Sequence, residues 1–141
     1  MYIDNSLVFS DAQAVTASAA STNSLDTSTA LRNIGNGQPI YAVVFVHTTV
    51  AASGGASNVT FALQDSADNS SFADVLKGPA IAKATLVAGY RAFVVPLPPK
   101  LRRYLRINYT VDTNDLTAGK FNAFLTLDLD DNIAQASGFT V

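Results

Sequence analysis

The sequence contains no cysteine, no tryptophan and no glutamate, and only one histidine and one methionine. Without cysteine, disulfide staples and thiolate metal sites are excluded, and assembly in a reducing cytoplasm is the natural expectation. With His47 alone, no two-histidine metal site or facial triad can form within one chain, and a serine triad would have to rest on that residue. All eleven acids are aspartate. Aspartate competes for backbone hydrogen bonds where glutamate does not, so long helices are disfavoured and strands and turns are expected.

Long hydrophobic runs are missing too. The longest, residues 41–46 extended by Ile40, falls far short of the ~20 residues a membrane helix needs, so no membrane span is expected. The first residues lack the charged start and continuous apolar stretch of a secretory signal, since Asp4 and Asp11 bracket only residues 7–9. The Asn-x-Ser/Thr triplets at Asn58, Asn69 and Asn108 are then expected to be accidental. Nine cations against eleven acids give a net charge of −2. A general nucleic-acid binder needs a strong basic surplus to displace counterions, so none is expected.

The 141 residues suit one domain with a core that needs no staple. No repeat, charge block or linker divides it. Residues 14–29 are rich in alanine, serine and threonine. Residues 1–34 therefore read as an extended, arm-like segment with short strands, and residues 132–141 as a small, polar tail.

From Ile40 onward strands are legible. IYAVVFV is apolar in both registers and reads as a central strand covered on each side, ending at His47. NVTFALQDS alternates, with Val59, Phe61 and Leu63 on one face and Thr60, Ala62 and Gln64 on the other. Asp68-Asn69 suits a tight turn into residues 72–76, making a hairpin. Residues 90–95 form another strand, which Pro96-Leu97-Pro98-Pro99 must end because proline donates no amide hydrogen. Residues 104–111 resume the alternation with Leu105, Ile107, Tyr109 and Val111 inward. In the last strand Phe121, Ala123, Leu125, Leu127 and Leu129 repeat it. Seven or more short strands with Gly, Pro, Asn and Asp between them predict an all-β, antiparallel sandwich or barrel.

Little of this sequence advertises chemistry. A hydrogen-bonded histidine at a strand end is the plainer reading of His47 than a catalytic one. Asp128, Asp130 and Asp131 offer calcium-type oxygens but lack a binding-loop glycine, so a solvated strand end is expected and no metal or cofactor. Lys100, Arg102, Arg103 and Arg106, four of the nine cations, interleave with Tyr104. Such a run follows a phosphate backbone, receives an acidic partner surface, or protects a sheet edge from aggregation. Of the eight Phe and five Tyr, only Tyr2, Tyr104 and Phe124 look outward, a thin platform for sugar stacking.

Taken in order, MYIDNSLVFSDAQAVTASAAST, IGNGQPIYAVV, VTFALQDSADNSSFADV, ATLVAGYRAFVVPLP, LRRYLRINYTV and LTAGKFNAFLTLDLD resemble the capsid cement, or decoration, proteins of short-tailed bacteriophages. The resemblance spans most of the chain, and its first, fourth and last segments are the specific ones. It implies a single-domain, jelly-roll-like β-sandwich without enzymatic activity or cofactor, made in the bacterial host cytoplasm. It further implies a virion protein on the outer surface of the head, often a homodimer, whose partner is the phage major capsid protein. The expected capsid or dimer contacts are Met1, Tyr2, Ile3, Leu7 and Phe9 in the first nine residues, and Lys100, Arg102 and Arg103 in the basic turn. The alternatives are a carbohydrate-binding, host-attachment sandwich on the same particle and a small hydrolase built on His47.

Overall fold

The structure, a computed structural model, describes residues 3–28 and 37–129. Met1, Tyr2, Gly35, Asn36, Asp130, Asp131 and the expected tail at 132–141 lie outside the described residues. The strands are β1 (Val8–Ala14), β2 (Ala19–Ala20), β3 (Leu25–Asp26), β4 (Tyr41–Ala52) and β5 (Asn58–Ser66). They continue with β6 (Ala73–Lys77), β7 (Ile81–Ala82), β8 (Arg91–Pro96), β9 (Tyr104–Asp112) and β10 (Leu116–Thr126). A single 3₁₀ turn, Asn5–Leu7, precedes them, capped by Asp4, whose carboxylate accepts from the Ser6 amide at 2.8 Å and the Ser6 hydroxyl at 2.6 Å. Those bonds hold the Asp4 carboxyl below its ordinary range.

All pairings are antiparallel. Sheet A has the order β1-β10-β4-β8. Sheet B has the order β2-β9-β5-β6, with β3 added beside β9 and β7 beside β5. If β2 with β3 and β6 with β7 each count as one interrupted strand, these are the two four-stranded sheets of a jelly roll. The chain is an all-β sandwich, and no helix of the described residues is long and apolar enough to cross a membrane.

The period-two alternation produces the core directly. Val44, Val46, Phe121, Ala123 and Leu125 of sheet A meet Phe61, Leu63, Leu105, Ile107 and Tyr109 of sheet B, all buried. Each large side chain so buried contributes on the order of 2 kcal/mol. At the centre, Phe121 meets Phe61 edge-on at 5.3 Å and stacks on Tyr109 at 5.4 Å. The Tyr109 hydroxyl reaches across the sandwich and donates to Ser10 Oγ at 2.8 Å, and Ser10 in turn donates to Gln13 Oε1 at 2.6 Å. Burial pushes the Tyr109 phenol up to about 12, against the opposing pull of the Ser10 bond.

Four sequence-based expectations need adjustment. The strand begun by IYAVVFV does not stop at His47. It pairs with β10 as far as Ala52, carrying exposed His47, Thr48 and Thr49 past its apolar run. Segment β5 is not half-buried: Thr60 and Ala62 are buried as well as Val59, Phe61 and Leu63, because β9 flanks it on one side and β6 and β7 on the other. Leu127, expected inward, is 56 % exposed. The strand ends at Thr126, where the hydroxyl donates to the Asp128 carbonyl at 3.0 Å and accepts from the Asp128 amide at 3.2 Å, breaking the alternation. Phe9, placed among the surface contacts, is fully buried in the core and offers no surface to a partner.

Candidate functional site

Among the described residues no group of three His, Cys, Asp or Glu side chains could hold a metal ion. His47 is exposed, and its Nδ1 lies 3.1 Å from Thr48 Oγ1. Asp128 is exposed beyond β10. Of the outward aromatics among the described residues, Tyr104 has Arg103 over its ring at 5.0 Å, and Phe124 is stacked on Phe45 at 6.0 Å and only 3 % exposed.

The basic run is engaged within the chain to a degree the sequence did not disclose. Arg102 binds Asp65: the Arg102 amide donates to Oδ2 at 2.9 Å, Nε to Oδ1 at 2.7 Å and Nη2 to the Asp65 carbonyl at 2.7 Å. Arg103 forms a two-pronged pair with Asp26 at 2.7 and 2.8 Å. That pair, and the Ser28 amide, hold the Asp26 carboxyl down at about 2, and the Asp26 bond raises Arg103 above its ordinary value. Arg106 donates to Gln64 Oε1 at 2.8 Å and stacks over Phe72 at 3.8 Å. Lys100 stands exposed at the tip of the turn, with φ +64.

These pairs bring the two expected contact segments to one end of the sandwich. A groove of about 230 Å³ is lined by Leu7 from the N-terminal segment, by Leu25 and Asp26 of β3, and by Ile40 and Leu125. Asp26 is the residue that Arg103 holds. Leu7 and Arg103, 96 positions apart in the numbering, therefore border the same surface. Exposed Ile3 (54 %) precedes the 3₁₀ turn, and exposed Leu127 lies in an adjoining groove with Leu7, Leu125 and Asp128. The end is apolar in the middle, with the Asp26–Arg103 pair at its border.

The outer side of sheet A is apolar as well. Val43, Phe45 and Phe124 point away from the sandwich core, on the outer side of sheet A. Here Val8, Phe124, Val43 and Val94 form one row across the four strands. The signal was the two-register apolarity of IYAVVFV. Burial on both sides holds along the strand's centre, where Ala42, Val43 and Val44 are all buried.

No curated protein matches the chain. The model of one family, Bbp16, matches residues 9–125, a span that leaves out only the first residue of β1 and the last of β10 among the strands. On that match the chain belongs to the Bbp16 family, whose name is phage-related.

Proposed function

We propose that this protein is a non-enzymatic structural component of a phage virion. It binds the outside of the assembled head and staples neighbouring major capsid subunits. The observation that carries the reading is the convergence of the N-terminal segment and the basic turn at one end of a rigid sandwich. Ile3, Leu7 and Leu127 there give apolar contact area, and Lys100 and the Asp26–Arg103 pair give polar selectivity. A compact apolar centre with a charged rim is how protein partners are commonly engaged. Membership of a family with a phage-related name supports the same reading.

The mechanism is linkage. A protein that binds the assembled shell and not its free subunits stabilises the shell by its own binding free energy. Summed over many copies, weak individual contacts suffice. No cofactor, nucleic acid or bilayer takes part, and synthesis in the host cytoplasm precedes addition to the head.

The experiment is co-sedimentation of the full chain with expanded capsids lacking cement protein, from the phage that encodes it. Saturable binding that raises capsid survival on heating is expected. Ile3→Asp with Leu127→Asp, and separately Lys100→Glu, are expected to lower occupancy at unchanged fold, because all three positions are exposed. Absence of binding by the unaltered chain would remove the reading and direct the search to glycans, the partners of a host-attachment sandwich.

A further inference from the structure

Strand β1 carries two register shifts against β10, one between Val8 and Ser10 and one between Ser10 and Gln13. In a regular ladder, Val8 on the outer side of sheet A would send Ser10 outward and Asp11 into the core. The first shift instead turns Phe9 and Ser10 both inward, Phe9 to the core and Ser10 to the Tyr109 hydroxyl. The second returns Asp11 to the outside, where it is exposed. That second bulge is fixed in place: Ala12 takes φ +45, and its amide donates to Asn122 Oδ1 at 2.5 Å. Asp11 and Asn122 thereby line a cleft of about 180 Å³, with Asn5 as a further polar wall and Ile3, Val8 and Phe124 as the apolar one. The Asp11 carboxylate makes no hydrogen bond or ion pair among the described residues, and no cation is among the residues that line the cleft.

We infer that this cleft receives a lysine side chain of a partner protein, with the ammonium on Asp11 and the methylenes along Ile3 and Val8. A lysine lays its stem on apolar surface and keeps its charged head clear of it, and the cleft offers both halves of that arrangement. The groups left open select this chemistry. Asn122 Oδ1 is taken by the Ala12 amide, and the Ser10 hydroxyl is engaged by Tyr109 and Gln13. The charged group that remains is Asp11, which only accepts, and an ammonium only donates. An anion would meet Asp11 as a like charge. A sugar needs an open aromatic face, and Phe124, stacked on Phe45, presents none. A free polyamine carries several ammoniums, whereas the lining holds a single acid.

An exposed ion pair alone contributes little in water, so the selectivity comes from the stem contact and from a carboxylate that the bulge holds in one place. One isolated lysine side chain is accordingly expected to bind with a dissociation constant on the order of 1 mM, and the rest of a partner surface adds to it. The cleft shares Ile3 with the end proposed above to meet the capsid, but the inference does not rest on that reading. It requires a protein partner with an exposed lysine and nothing further.

The test is an amide-resolved NMR titration of the full chain with Nα-acetyl-lysine methylamide up to about 50 mM, well past the constant expected. Saturating shifts are expected at Ile3, Asp11, Ala12 and Asn122. Asp11→Asn, which keeps the shape at an exposed site without a partner to lose, is expected to weaken binding about tenfold. The norleucine derivative, with the same stem and no ammonium, is expected to bind the unaltered chain about tenfold more weakly as well. No shifts at these four amides up to the highest concentration overturn the inference. Equal shifts at exposed Asp115, outside the cleft, overturn it too, because they would show unselective pairing with any carboxylate. A norleucine response equal to that of lysine leaves only apolar contact and refutes the role of Asp11. Spermidine binding more tightly than the lysine derivative assigns the cleft to a free polyamine, and a response to methyl glucoside without one to lysine assigns it to a sugar; either result overturns the partner lysine. The titration contains no capsid, so its outcome is independent of the functional reading.

Discussion

Arg102 holds Asp65 from three sides, through its backbone amide at 2.9 Å, its Nε at 2.7 Å and its Nη2 on the Asp65 carbonyl at 2.7 Å. The pair ties the turn that follows the proline break to the far part of β5, where Asp65 stands opposite Leu105 in the β5–β9 ladder. The Asp65 side chain is 10 % exposed and that of Arg102 38 %. The carboxylate therefore needs its partners more than the guanidinium does. Asp65→Ala is expected to cost about 2 kcal/mol, less than breaking a fully buried pair because Arg102 regains water. A urea midpoint shift equivalent to less than ~0.5 kcal/mol would reduce the pair to an ordinary surface contact.

The Asp26–Arg103 pair leads to a prediction in acid. Hydrogen bonds from Arg103 and the Ser28 amide hold the Asp26 carboxyl at about 2, below its unfolded value near 4. A depressed carboxylate contributes stability that is fully present above the unfolded value and is lost as pH falls through the folded one. Asp26→Asn is therefore expected to flatten part of the stability loss between about pH 4 and pH 2. Denaturant midpoints of both chains across that window decide it, and parallel curves would show that the pair does not stabilise the fold.

The two faces of sheet A predict unequal responses to truncation. Phe121 lies between Phe61 and Tyr109 in the core, so Phe121→Ala leaves a cavity and is expected to cost about 4 kcal/mol. Phe45 stacks on Phe124 on the outer side and is half-buried, so Phe45→Ala is expected to cost about 1 kcal/mol. Equal losses in dilute urea melts would mean that the outer face is covered within the chain.

Much of the sandwich was legible because alternation is a local signal. Leu105, Ile107 and Tyr109 turn inward as their spacing requires, and the Asp68-Asn69 turn forms as expected. Asp68 Oδ1 accepts from the amides of Ser70 and Ser71 at 3.0 and 2.9 Å, and Asn69 adopts φ +58. Those amides and the Ser66 hydroxyl hold Asp68 at about 2. Alternation cannot report where a ladder ends. Leu127 continues the apolar register of Leu125, yet Thr126 satisfies the Asp128 backbone and the strand stops one residue short.

Solvation on each side of a strand was equally hidden. Apolar residues in both registers of IYAVVFV state that neither face suits water, not which partner covers the outer one. For the basic run, Asp26 and Asp65 are 77 and 37 positions from their arginines. Nothing local marks them as partners, so cations that read as an open patch are in part internal ties. Lys100 carries no such tie among the hydrogen bonds of the turn, and it is the position at which a partner's acid would be met most directly.

Tyr109 yields the prediction with the clearest sign. Its phenol is buried at the centre of the sandwich, donates to Ser10 Oγ at 2.8 Å and is pushed up to about 12, against about 10 in an unfolded chain. A group with a raised folded value contributes stability that is fully present below the unfolded value and is lost as pH rises through the folded one. Between about pH 10 and pH 12 the unfolded chain ionises this tyrosine while the folded chain cannot, which removes on the order of 2 kcal/mol. Tyr109→Phe keeps the ring and loses only the hydrogen bond, and Ser10 keeps its bond to Gln13. It is expected to cost about 1 kcal/mol at neutral pH. In alkali it should lose less than the unaltered chain, so that the two stabilities cross at about pH 11 and the variant is the more stable by pH 12. Denaturant midpoints from pH 8 to 12 give the comparison, and a constant gap across that range would mean that Tyr109 ionises as readily in the folded chain as in the unfolded one.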